Sequence, residues 1–273
     1  MKLGIVGKGG VGKTTISGLL CQTYSADGRR VLAVDTDSNP NLAISLGLDE
    51  KTANEAPVVP RSLVVGTGDG AMTTAALLAQ YGLSTPSRTT LLHAMRVDQA
   101  GAGCTCSSHV TVRSLLGATI DEADVTLVDM EAGLEHLSRS GGTLAYADIL
   151  LMVMEPTQKS IMTAARTVPL ARELGIPQVY GIGNKAKLPA DAEFYARVAA
   201  DQGVELAGIV PFDPDVPLAD RRGTALGAGE ASPVREAIAK IVAFVDSVFD
   251  ERRSLLAERD RVDRRLAQLS VNG

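Results

Sequence analysis

Tryptophan is absent, and only 3% of the 273 residues are aromatic. That removes the stacking platforms on which single-stranded nucleic acids are usually held. Basic excess is absent too: Lys+Arg total 27 against Asp+Glu 32, a formal charge of −5. With no basic patch or tail, non-specific DNA binding is not expected as the main activity. No apolar run reaches transmembrane length, and the chain enters its first strand without the apolar segment of a secretory leader. The expectation is a cytoplasmic protein. Three cysteines make no disulfide framework in such a chain.

What the chain does have is alternation. Short runs rich in Val, Ile and Leu predict strands at 3–6, 31–35, 91–97, 125–130, 149–154, 179–183 and 206–210. Helical spacing fills 14–26, 41–46, 71–81, 110–118, 135–145, 158–174, 190–202 and 233–269, with Pro169 expected to kink or break the sixth. This pattern predicts an α/β fold: a doubly wound, mostly parallel sheet covered by helices on both faces in three layers. The length suits one large domain spanning 1–273, with no linker in it. Residues 51–90 are broken by Pro57, Pro60, Gly66, Gly68, Gly70 and Pro86 and read as a peripheral insertion. Val64-Val65 within them reads as a strand or packed loop.

Gly7-Lys8-Gly9-Gly10-Val11-Gly12-Lys13-Thr14-Thr15 joins the first strand to the first helix. Gly7, Gly9 and Gly12 satisfy the dinucleotide-binding pattern, and Asp35 lies near the distance of its ribose acid. Lys13-Thr14 decides against that reading. A dinucleotide needs neither group, whereas a triphosphate needs both: backbone N–H groups and the helix dipole hold phosphate, Lys13 reaches the β- and γ-phosphates, and the Thr14 hydroxyl ligates Mg²⁺. Two further strands end in acids, Asp35-Thr36-Asp37 after 31–34 and Asp129 after Thr126-Leu127-Val128. The second is the Walker B arrangement, which places Asp129 near Mg²⁺.

Lys8, directly after the first glycine, makes this a deviant Walker A motif. Here the chain resembles the ParA, MinD and nitrogenase-iron-protein class of dimerising ATPases. The resemblance implies that Lys8 reaches the nucleotide of a partner subunit and that Asp37 orients the attacking water. It implies that Gly9, Gly10, Val11, Gly12 and Thr15 wrap the phosphates of ATP or ADP. It also implies that Asn184-Lys185 contacts adenine, with Pro211-Phe212-Asp213 as the other wall of the base pocket.

Cys104-Thr105-Cys106 follows Gly101-Ala102-Gly103. One such pair supplies two thiolates, whereas structural Zn²⁺ and square-planar Ni²⁺ each take four ligands. A symmetric dimer would bring two pairs together at its axis. Cys21 falls on the apolar face of the first helix and reads as core. His109 reads either as a further ligand or as a polar residue near a helix start, and His93 and His136 as structural.

Gly101-Ala102-Gly103-Cys104-Thr105-Cys106 together with Asp129-Met130-Glu131-Ala132-Gly133-Leu134-Glu135-His136 resembles the CooC-type ATPases, accessory proteins for nickel insertion into carbon monoxide dehydrogenase. That resemblance implies an ATP- and metal-dependent homodimer, a Ni²⁺ or Zn²⁺ shared by Cys104 and Cys106 of both subunits, and a client metalloenzyme. After the cysteines the chain continues Ser107-Ser108-His109 where relatives often carry Pro and a polar pair. Two other classes remain for comparison. A MinD/ParA-type positioning ATPase would act on membrane, DNA or a protein partner, but the acidic balance and the cysteine pair count against it. An iron-protein-like redox module would need a cysteine near Asp129, where there is none.

The last predicted helix carries an apolar stripe from Ile241 to Leu269, flanked from Asp250 onward by charges of both signs. That balance suits a packed or partner-contacting helix. A membrane-surface helix would be more one-sidedly basic.

Overall fold

A computed structural model describes residues 1–61, 63–96, 106–118, 120–133, 137, 142–226 and 232–271, with the side chains of 106, 107 and 259–271 excepted. Eight strands form one sheet in the order β3-β4-β2-β5-β1-β6-β7-β8. They are β1 (Lys2–Gly7), β2 (Val31–Asp35), β3 (Leu83–Ser84), β4 (Thr89–His93), β5 (Val125–Asp129), β6 (Ile149–Met154), β7 (Gln178–Ala186) and β8 (Glu205–Pro211). Every pairing is parallel except β3 with β4.

Among the described residues the named helices are α1 (Lys13–Ala26), α2 (Leu42–Ser45), α3 (Glu50–Glu55), α4 (Thr74–Tyr81), α5 (Cys106–Gly117), α6 (Gln158–Glu173), α7 (Pro189–Gln202), α8 (Asp215–Arg221) and α9 (Pro233–Val271). Period-two burial explains why the central strands read as unbroken apolar runs. In β6, Ile149, Leu151 and Val153 join one core, while Leu150, Met152 and Met154 join the other. The first core takes Leu20 and Tyr24 of α1 and Ile238, Ile241 and Val245 of α9. The second takes Leu115 and Leu116 of α5, Val168 of α6 and Tyr195 of α7.

Several expectations need correction. β4 covers 89–93, not 91–97; Thr89 and Thr90 are polar, yet they pair with Val31 and Leu32. Of the helix expected over 135–145, Leu137 is helical and residues 143–146 form turns; 135, 136 and 138–141 lie outside the described residues. α6 runs through Pro169 without a break. Residues 51–90 are not peripheral, since Val59, Val65 and Leu77 sit in the second core. Val65 bridges Met72 outside the named strands. The short α3, α8 and β3 carry too few residues for a periodic signal.

His93 ends β4 with 1% of its surface exposed. Neither ring nitrogen has a hydrogen-bond partner. Burial, helped by the Arg96 cation, pushes its pKa down to about 4 from an ordinary 6.5. The unfolded chain therefore binds a proton between those values that the folded chain refuses, and stability falls as pH drops through that window. His93→Leu should remove this loss. Relative to wild type it should gain about 3 kcal/mol between pH 6.5 and 4, read as the difference between two denaturant-midpoint profiles. Parallel profiles would show that the ring finds a partner on protonation.

Candidate nucleotide site

β1 lies at the centre of the sheet. The chain leaves it toward β2 on one side and later crosses to β6 on the other. Ligands of doubly wound sheets bind at such a switch point, outside the carboxyl ends of the strands. The glycine-rich loop occupies that position. Gly7 adopts φ +151 and Gly12 φ +95. A Cβ at Gly7 would collide with the Val153 carbonyl, and one at Gly12 with the Asn184 amide. The turn therefore closes only with glycine at both places.

Gly9, Gly10, Gly12, Lys13, Thr14 and Thr15 line a cleft of about 620 Å³. Asp37, Asn184, Lys185, Pro211, Phe212 and Asp213 complete it. Of the other residues read from the sequence, Val11 is buried behind the loop. Asp129 is buried beneath the loop, where it accepts hydrogen bonds from Ser17 Oγ at 3.0 Å and from the Thr14 hydroxyl. These oxygens are the hard donors that Mg²⁺ takes. Cys104 lies outside the described residues, and Cys106 begins α5 with its side chain undescribed. His109 is buried, with Nδ1 3.1 Å from Thr143 Oγ1. His136 lies outside the described residues.

Electrostatics in the cleft oppose one another. Burial pushes the Lys13 amine below its ordinary value, and the carboxylates of Asp129, Asp37 and Glu131 pull it back. Asp35 and Asp129 are register neighbours on β2 and β5. Both are raised above the usual carboxylate range, in each case first by burial. Asp35 is fully engaged: Oδ1 accepts from the Asp37 N–H at 3.0 Å and Oδ2 from the Leu42 N–H at 2.9 Å. It shapes the D-x-D turn, while Asp37 lines the cleft.

The loops around the cleft are tied together. Thr36 donates to the Asp129 carbonyl through both its N–H (3.0 Å) and its hydroxyl (2.9 Å). Ser38 Oγ donates to Glu131 Oε1 at 3.0 Å. Ala132 approaches the Gly9 position. The segment after Asp129 therefore touches both phosphate-facing loops, as a nucleotide-sensing switch must.

Sequence reasoning missed Glu155, which directly follows β6. Its carboxylate lies 3.8 Å from Lys8 Nζ and 3.5 Å from Lys185 Nζ. Lys185 also donates to the Gly10 carbonyl. It does so from a left-handed backbone, φ 60, a conformation that costs a non-glycine residue about 1–3 kcal/mol. Asn184 Nδ2 donates to the Val11 carbonyl at 2.7 Å. Phe212 is exposed, and Lys187 Nζ lies 4.4 Å above its ring. Ser17, one turn beyond Thr14 on the same helical face, was within reach of spacing arguments. The role of Glu155 was not, because it depends on β6 and β7 being adjacent.

Residues 5–226 match the sequence profile of the CobQ/CobB/MinD/ParA nucleotide binding domain. The carbon monoxide dehydrogenase accessory protein CooC of Rhodospirillum rubrum is 37% identical, covering 82% of this chain and 88% of that one. An uncharacterised ATP-binding protein of Methanocaldococcus jannaschii is 35% identical over 79% of this chain and 87% of its own. Among solved structures, the septum site-determining protein MinD of Pyrococcus horikoshii, complexed with Mg-ADP, superposes with a TM-score of 0.68 at 20% identity, covering 90% and 96% of the two chains. MinD of Aquifex aeolicus gives 0.66 at 22% identity over 90% and 96%. Those two likenesses establish the fold, and the profile and the relatives establish the family: the chain is an ATPase of the CobQ/CobB/MinD/ParA nucleotide-binding family and belongs to its CooC-type members.

Proposed function

We propose that this ATPase works as a homodimeric metallochaperone that delivers nickel to a carbon monoxide dehydrogenase-like enzyme. ATP closes two subunits, and Lys8 of each contacts the nucleotide of the other. Lys13 and the N–H groups of the glycine loop hold the phosphates. Thr14 and Asp129 offer the hard oxygen donors for Mg²⁺, which would supply charge neutralisation at the β- and γ-phosphates. Asp37 orients the attacking water, and Asn184, Lys185 and the Pro211-Phe212-Asp213 corner hold the base. Cys104 and Cys106 of both subunits carry the cargo, Ni²⁺ or Zn²⁺, between them.

The observation that supports this reading is the link from the cleft to the end of β4, the strand that precedes the cysteine segment in the sequence. β4, the strand that leads toward Cys104, pairs along β2, and the Ala94 N–H donates to the Asp35 carbonyl at 2.9 Å. Asp35 in turn fixes the loop bearing Asp37. A change in that loop on hydrolysis is felt at the base of the cysteine segment. Delivery then needs only that one dimer state hold metal more tightly than the other.

Metal stoichiometry tests it. With a non-hydrolysable ATP analogue, wild type should hold one nickel or zinc per two subunits, and Cys104→Ser/Cys106→Ser should hold none while still binding nucleotide. Metal binding indifferent to both cysteines would overturn the delivery reading and leave an ATPase with another cargo.

A further inference from the structure

The glycine loop is flanked by two lysines that share one carboxylate. Lys8 Nζ lies 3.8 Å from Glu155 Oε1, and Lys185 Nζ lies 3.5 Å from Glu155 Oε2. The carboxylate is the fixed member of the group. Glu155 sits between β6 and α6, where its N–H donates to Ser160 Oγ at 3.1 Å. Thr157, the N-cap of α6, donates through Oγ1 to Glu155 Oε1 at 3.4 Å. Lys185 is held as well, because its amine also donates to the Gly10 carbonyl. The Lys8 backbone is anchored: its carbonyl accepts from the Val11 N–H at 3.5 Å and from Lys13 Nζ at 3.4 Å. That leaves the Lys8 side chain, 35% exposed, as the part that can swing.

We propose that Glu155 is a positioning residue that holds Lys8 back on its own subunit, and that closure of two subunits on ATP requires this pair to break. The inference rests on the reading in which Lys8 contacts the nucleotide of the other subunit. A lysine that crosses to another subunit must swing away from a carboxylate tied to the end of β6. Its release costs little, because Glu155 keeps other partners. When Lys8 departs, Lys185 stays at Oε2 and the Thr157 hydroxyl at Oε1, so the carboxylate is not left bare. One part-exposed ion pair shifts an equilibrium a few-fold, too little to forbid closure and enough to bias it. The phosphates that draw Lys8 across must outweigh Glu155. ADP, with one phosphate fewer, does so less well than ATP, so the pair favours the open subunit after hydrolysis.

Two measurements on the full-length chain test it. Brief acylation of lysines in the nucleotide-free protein, read site by site by mass spectrometry, reports on the pair itself. Lys8 should label about two- to fivefold faster in Glu155→Gln than in wild type. Sedimentation velocity with Mg²⁺ and a non-hydrolysable ATP analogue reports on closure. Glu155→Gln should form the dimer at about three- to tenfold lower protein concentration, since two such pairs break per dimer. Glu155→Asp, which keeps the charge on a shorter arm, should fall between the two. The gap between Glu155→Gln and wild type should narrow as salt is raised, because these charges are part-exposed. Unchanged labelling of Lys8 would overturn the pairing. Faster labelling with an unchanged or weaker dimer would overturn the restraint on closure and leave Glu155 as a support of the glycine loop through Lys185. Wild type that stays monomeric with the analogue, while Lys8 labels as expected, would overturn the contact of Lys8 with the other subunit's nucleotide and the restraint with it. Labelling is read without nucleotide, so the two failures are distinguishable.

Discussion

Lys13→Ala should lower ATP turnover by about 10²–10³-fold, the size of effect expected when one preorganised charge is removed from a developing anion. The side chain is 8% exposed, and its amine makes one long contact, 3.4 Å to the Lys8 carbonyl. It is held in place by its surroundings rather than by a strong partner of its own. Asp129, Asp37 and Glu131 all act on it, so its loss would leave a triphosphate facing these carboxylates without the buried cation that offsets them. Nucleotide affinity should fall together with turnover, because the same charge acts on ground and transition states. Lys13→Arg should rescue little: the guanidinium is larger and planar, and the amine sits against the Lys8 carbonyl in a closed turn. Equilibrium titration with a fluorescent ATP analogue, run beside steady-state phosphate release, separates the two effects. Turnover within about threefold of wild type would remove Lys13 from the phosphate site.

The parts of this site that could be read directly were those whose chemistry is local in sequence. Gly7 to Thr15 is a strand-to-helix turn whose residue types follow from what phosphate requires, and Asp35 and Asp129 each end a strand of apolar residues, with Asp37 two positions past the first. The structure brings these together because β2, β5 and β1 are neighbours with parallel ends. Interactions that depend on which strands become neighbours were not legible. Glu155 follows an apolar strand as Asp129 nearly does, but its partners come from the loops after β1 and within β7. Residues 51–90 were opaque for another reason. Their buried positions, Ala56, Val59, Val65 and Leu77, are spread over loops and a short helix, so no period of 2 or 3.6 links them. The helix expected at 135–145 runs too far along the chain at its end: Leu137 is helical, whereas Leu144, also buried, belongs to a turn. Burial at heptad distance does not by itself extend a helix.

Asp37→Ala should separate what Lys13→Ala merges. Asp37 lines the cleft, with Oδ1 held by the Asn39 N–H at 2.9 Å and its own N–H donated to Asp35 at 3.0 Å. The carboxylate is therefore aimed before any nucleotide arrives. A negative group beside a triphosphate does not favour binding, which fits the role proposed for it, holding water for attack. On that account kcat should fall by about 10²–10⁴-fold while ATP affinity stays level or improves as a repulsive charge leaves. Asp37→Asn keeps an oxygen for the contact with Asn39 yet loses the negative charge, and it should resemble alanine in turnover and wild type in thermal stability. If closure is coupled to the triphosphate as proposed, both variants should accumulate an ATP-bound dimer that wild type passes through. Rapid-quench measurement of a single turnover, with size analysis of the same samples, checks both halves. A drop in affinity equal to the drop in turnover would mean that Asp37 shapes the phosphate loop instead, and the water-orienting group would then have to be sought at Glu131, which Ser38 holds against the same loop.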